Sequence, residues 1–99
     1  MIVLNAYGIL KPGTQAVMLT ASRKNKAVAV TEPGCERFDF FFSPDRPEFF
    51  VFVEEWSTLA DLHSHFAQPN FAEFMSALET CLEAQPEIRI FDAALVPDA

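Results

Sequence analysis

The segment CERFDFFFSPDRPEFFVFVEEW, residues 35–56, constrains the fold more than any other stretch of the chain. A compact turn at Ser43-Pro44-Asp45-Arg46-Pro47 separates two Phe-rich runs, a pattern that predicts an antiparallel hairpin. Successive strand side chains point to opposite faces. Phe38, Phe40 and Phe42 therefore share one face of the first run, opposite Arg37, Asp39 and Phe41, while Phe50, Phe52, Glu54 and Trp56 share a face of the second. The opening run IVLNAYGIL, residues 2–10, puts Val3, Asn5, Tyr7 and Ile9 on one side and Ile2, Leu4, Ala6, Gly8 and Leu10 on the other, and Lys11-Pro12-Gly13 closes it. Both faces of these strands are rich in apolar side chains. Neither can be left to water.

Between the strands, residues 14–30 are rich in helix formers, with Thr14 as a plausible N-cap and Ala16, Val17, Thr20, Lys24 and Ala27 or Val28 on a helical stripe. A second helical region is expected over residues 57–84, interrupted near Pro69, with Leu59, Leu62, Phe66, Phe71, Phe74, Leu78 and Leu82 on its apolar stripe. EIRIFDAAL, from Glu87, reads as the last strand. Strand, helix, strand, strand, helix, strand is the split βαβ order of an α+β, ferredoxin-like fold with an antiparallel sheet. The 99 residues suffice for one domain, residues 1–99. Two helical regions cover only one face of such a sheet, and 11 Phe residues must be buried somewhere. A second copy packed sheet to sheet is the economical cover, so a homodimer is expected.

Charge narrows the partners. Seven Lys and Arg against 14 Asp and Glu give a net charge of −7, which argues against nucleic acid or an anionic membrane as partner. The first residues lack a secretory pattern and no stretch approaches a membrane span, so a cytoplasmic location is expected. Cys35 and Cys81 read as buried apolar thiols. With three glycines and no Gly-rich phosphate loop, a nucleotide or flavin held in that way is not expected.

The stretch DLHSHFAQPNF, residues 61–71, holds both histidines. On a helix His63 and His65 project about 200° apart and cannot ligate one metal together, and no metal-binding motif occurs elsewhere, so no metal is expected. Asp61 and His65 are four apart and can meet on one helical face, which makes His65, turned inward, a candidate general acid or base. The purely structural alternative has His65 bonding backbone near Pro69. Asn5, an amide in an apolar strand, either satisfies a loop or donates to a substrate oxygen, and Tyr7 would be the second polar tip of the same pocket. Trp56 reads first as core or interface, and Arg37 and Asp39 as partners of each other or of neighbours.

Glu32-Pro33-Gly34 before the second strand, Glu54-Glu55-Trp56 closing the third, the Leu-x-x-His from Leu62 to His65, then Pro69 and Phe71, resemble the signature region of the antibiotic biosynthesis monooxygenase family. The resemblance covers nearly the whole chain. It implies a dimeric α+β barrel, a pocket between sheet and helices, and oxygenation of quinol- or anthrone-like aromatics by dioxygen with no metal or organic cofactor. Carried over, it makes His65, Asn5 and Trp56 the catalytic candidates, and Tyr7, Phe40, Phe52, Phe66, Asn70 and Phe71 the substrate-binding ones. Many relatives carry a His where this chain has Asn70, which hydrogen-bonds but does not titrate. In haem-degrading relatives the iron ligand would fall near Met75, which argues against haem. Two further readings stay open: an isomerase of a small signalling-molecule derivative, and a non-catalytic dimer that binds an apolar small molecule.

Overall fold

In the computed structural model, residues 1–98 are described. The elements are β1 (Ile2–Ile9), α1 (Gln15–Ala29), β2 (Cys35–Phe42), β3 (Phe49–Trp56), α2 (Leu59–Phe66), α3 (Pro69–Glu79) and β4 (Glu87–Asp92). The four strands form one antiparallel sheet in the order β2-β3-β1-β4, the ferredoxin-like arrangement expected from the order of elements. No helix among the described residues is long and apolar enough to cross a membrane.

Strand alternation holds apart from one irregularity at the start of β2. The register pairs Leu4 with Glu54, Ala6 with Phe52 and Phe38 with Glu54, so these side chains share the face beneath the helices. Leu4, Phe38, Phe50, Phe52 and Trp56 there meet Met18, Leu62, Phe74 and Leu78 from the helices to form the core. On the other face stand Val3, Asn5, Tyr7 and Ile9 with their cross-strand neighbours Val51, Val53 and Phe91. Tyr7, Ile9, Phe41 and Phe91 are exposed on it, and Phe41 is 53% accessible. Arg37 pairs with Glu55 at 3.1 Å and Asp39 with Lys26 at 2.9 Å, so each finds a neighbour instead of the other.

Two expectations need correction. The stripe drawn for α1 is its solvent face: Val17 and Val28 are 52% and 43% exposed, and the buried residues are Met18, Ser22, Asn25 and Ala29. Polar groups can occupy the inward face because they are partnered. Ser22 Oγ donates to Met18 Sδ at 3.5 Å, and Asn25 Oδ1 accepts from Asn70 Nδ2 at 2.9 Å. Thr14 stands at the N-cap position, yet its hydroxyl does not cap the helix and donates to the Lys11 carbonyl at 2.7 Å. The second helical region is two helices, with Pro69 as the first residue of α3, where its missing N–H costs no intrahelical bond.

Candidate functional site

The site is built where β3 ends under α2. β3 alternates Phe50, Phe52, Glu54 and Trp56 toward the helices, and the third of these is a carboxylate only 6% exposed. Trp56 Nε1 donates to Glu54 Oε1 at 3.0 Å. Burial pushes the Glu54 carboxyl up from 4.5 to about 7; the Trp56 hydrogen bond lowers it and the nearby Glu32 charge raises it further. The Cys35 thiol is raised too, first by burial and then by Glu54 and Glu32.

α2 supplies the imidazole. Its start is fixed by an N-cap in which Thr58 Oγ1 accepts from the Asp61 N–H at 3.1 Å and donates to Asp61 Oδ2 at 2.9 Å. From that start Leu62 and His65 fall on the inward face, and His65 is 1% exposed while His63 faces solvent. The His65 ring lies 4.8 Å from the Trp56 ring, with Phe38, Phe66 and Phe71 at 5.8, 6.0 and 5.3 Å.

The partner of His65 is Glu32, not Asp61. His65 Nδ1 lies 2.9 Å from Glu32 Oε1, and the Asp61 carboxylate is committed to the helix cap. Glu32 is brought there by the turn between α1 and β2. Gly34 adopts φ +79° in that turn, its carbonyl accepts from the Ser57 N–H at 2.8 Å, and a Cβ at this position would run into the Asp61 carboxylate. A bulge between Cys35 and Arg37 then puts Cys35 opposite Trp56 and returns Phe38 to the inward face.

Beside this cluster a cavity of about 40 Å³ lies between sheet and helices, walled by Leu4, Ala6, Phe50, Phe52, Phe66, Phe71, Phe74, Met75, Leu78, Pro86 and Ile88, with Glu54 as its one ionisable wall residue. Larger depressions lie elsewhere. One of about 540 Å³ near Ile9, Arg46 and Glu83, at the opposite end of β3, holds none of the sequence-chosen residues.

Of those residues, the structure brings Phe52, Phe66 and Phe71 to the cavity wall and buries Trp56 and His65 against each other behind Glu54. Phe40 packs on Phe52 at 5.4 Å without reaching the cavity. Asn5 and Tyr7 do not join the pocket of His65. Their odd-numbered positions on β1 put them on the opposite face of the sheet, where Arg89 lies 5.9 Å from the Tyr7 ring. Asn70 is also elsewhere, tied to Asn25 in a groove of about 170 Å³ between α1 and α3. Sequence reasoning gave no role to Glu54 or Glu32. The signal for Glu54 was a carboxylate at an inward position among Phe50, Phe52 and Trp56; for Glu32, 33 residues from His65, no periodicity pointed to the contact. Among the described residues no group of three or more His, Cys, Asp or Glu stands together to hold a metal ion.

The family model for antibiotic biosynthesis monooxygenases matches residues 1–77. A curated protein of Synechocystis sp., described as uncharacterized, is 29% identical over 85 residues; the match covers 86% of this chain, which spans 58% of that protein's length. A solved structure from Nitrosomonas europaea, described as a candidate antibiotic biosynthesis monooxygenase, superposes with a TM-score of 0.92 at 24% identity, covering 96% of this chain and 100% of that one. A further crystal structure, of an antibiotic biosynthesis monooxygenase, gives a TM-score of 0.88 at 26% identity over 96% and 100% of the two chains.

Proposed function

Because the chain belongs to the antibiotic biosynthesis monooxygenase family, we propose that it oxygenates a quinol- or anthrone-like small molecule with dioxygen, without a resident metal or organic cofactor, and that it does so as a homodimer. The observation that carries this reading is the aromatic-walled cavity whose single ionisable wall residue is Glu54, backed by Trp56 and His65. In an anthrone, the ring CH₂ becomes C=O as dioxygen is split, one oxygen atom entering the product and the other leaving as water. All four electrons come from the substrate. Once deprotonated, such a molecule reduces dioxygen itself, so the protein needs only to desolvate the rings, move a proton and steady the anion.

The residues around the cavity suit those tasks. Phe52, Phe66, Phe71 and Phe74 exclude water from one side of it. Glu32 beside Nδ1 orients His65, whose face supports the Trp56 indole. Three-ring substrates need more than the present 40 Å³, since ligand pockets run to about 300 Å³ or more. Phe66, Phe71 and Met75 are half-buried wall residues, and their displacement would enlarge it. Among the described residues no Lys or Arg lines the cavity, which favours a neutral aromatic over a phosphorylated substrate. The dimer rests on the uncovered sheet face, where Tyr7, Ile9, Phe41 and Phe91 need a partner surface.

The test is oxygen uptake by chelator-treated protein with a panel of reduced quinols and anthrones. Uptake above the spontaneous rate, with one dioxygen consumed per anthrone converted to its quinone, is the expected result. No uptake with any of them overturns the oxygenase reading and moves the weight to non-oxidative chemistry or to binding alone.

A further inference from the structure

We propose that Glu54, through its Oε2 atom, is the acceptor of a proton from the ligand, and that the cavity therefore takes neutral ring molecules bearing one acidic O–H or C–H and refuses their anionic analogues. The inference rests on the proposed function only for the oxygen chemistry after the proton transfer.

The geometry carries it. Glu54 Oε1 is occupied by the Trp56 indole N–H at 3.0 Å. Oε2 takes no hydrogen bond from a described residue, and no buried side-chain oxygen among them is left without a partner, so Oε2 keeps accessible surface, and the cavity is the one that Glu54 lines. His65, the base expected from sequence, is not a wall residue; Phe66 and Phe71, which are, stand against its ring. A ligand in the cavity meets one group able to take a proton.

The step balances simply. The ligand's O–H or C–H bond breaks, its electron pair stays on the ligand, and the proton forms an O–H bond at Oε2. The cavity holds one negative charge before the transfer, on Glu54, and one after it, on the ligand. Charge is moved within a dry site instead of created there, which is the cheap way to form an anion away from water. A ligand that arrives as an anion would add a second negative charge beside Glu54, with Glu32 close by and no cation among the described wall residues. The other titratable groups near Glu54 are Cys35 from β2 and His65 from α2 behind Trp56; β1, α3 and β4 present only apolar side chains to the cavity. A carboxyl poised near 7 is matched to proton transfer at neutral pH.

The test is an anaerobic titration with 9-anthrone, whose anion is distinguished from the neutral form by its absorbance, and with anthracene-9-carboxylate as the anionic comparison. Wild type should bind anthrone and show the bound anion increasingly as pH rises through about 7. Glu54→Gln, which keeps an acceptor for the Trp56 indole, should bind anthrone within about threefold and show no bound anion across that window, and wild type should bind the carboxylate at least tenfold more weakly than anthrone, a gap that narrows in the variant. Anion formation by Glu54→Gln equal to wild type overturns the assignment, as does wild-type anthrone that binds without ionising or fails to bind. Anion formed without oxygen, with no uptake on admitting air, would leave Glu54 as the acceptor and overturn the oxygenase reading alone.

Discussion

Glu54 and Trp56, two residues apart on β3, are joined by one hydrogen bond of 3.0 Å, and that bond does not offset the burial of the carboxylate. Between about 4.5 and 7 the folded protein holds a proton on Glu54 that the unfolded chain has released, so this group's contribution to stability falls as pH rises through that window. Above it the cost reaches about 3 kcal/mol. Glu54→Gln is expected to be more stable than wild type by about 1–3 kcal/mol at pH 8 and to converge with it near pH 4. Urea unfolding across that pH range checks it; a gap that does not vary with pH would show that Glu54 is not carrying the titration.

Gly34 is expected to tolerate no side chain. With φ at +79° and the Asp61 carboxylate standing where a Cβ would go, Gly34→Ala strains the backbone and pushes on the α2 cap together. The loss should be about 1–3 kcal/mol by urea denaturation. Because this turn delivers Glu32 to His65, the variant should also weaken that contact. A change below half a kilocalorie would mean that the turn relaxes freely.

Asn70→Ala should separate stability from activity. It leaves Asn25 Oδ1, at a buried position, without its donor, a loss of about 1–2 kcal/mol. Oxygen uptake should be unchanged at a temperature where both proteins are folded, since Asn70 faces α1 and not the cavity. Lost turnover with unchanged stability would put Asn70 back among the substrate contacts.

Val51→Lys places a charge in the middle of the uncovered sheet face, on a central strand. Wild type at micromolar concentration should run at twice 11.1 kDa and the variant as a single chain. Wild type running as a single chain would remove the homodimer from the proposal.

Much of this architecture can be read from the residues because strand alternation is a strict code. Phe38, Phe50 and Phe52 fall inward as the period of two requires. α1 misleads because its buried face holds Ser22 and Asn25, whose hydrogen bonds reach Met18 and Asn70, and no apolar count detects satisfied polar groups. The site is legible in parts. His65 turning inward and His63 outward follows from helical spacing, whereas the Glu32 contact comes from a turn joining two elements and has no periodic signature. Thr58-Leu59-Ala60-Asp61 is a capping pattern, and read as one it already commits Asp61 to Thr58 and away from His65.

Strand β4 hangs on the sheet by one ladder, to β1, and each of its six residues is exposed. Ile88 and Ile90, aligned with Ala6 and Leu4 on the helix side of the sheet, stay about half uncovered. Strands held in this way open at a small fraction of the global unfolding free energy. In deuterium exchange the β4 amides would be the first of the sheet to label. Since Pro86 and Ile88 form one side of the cavity, early labelling of β4 would mark that side as the one that opens ahead of the Phe-packed centre.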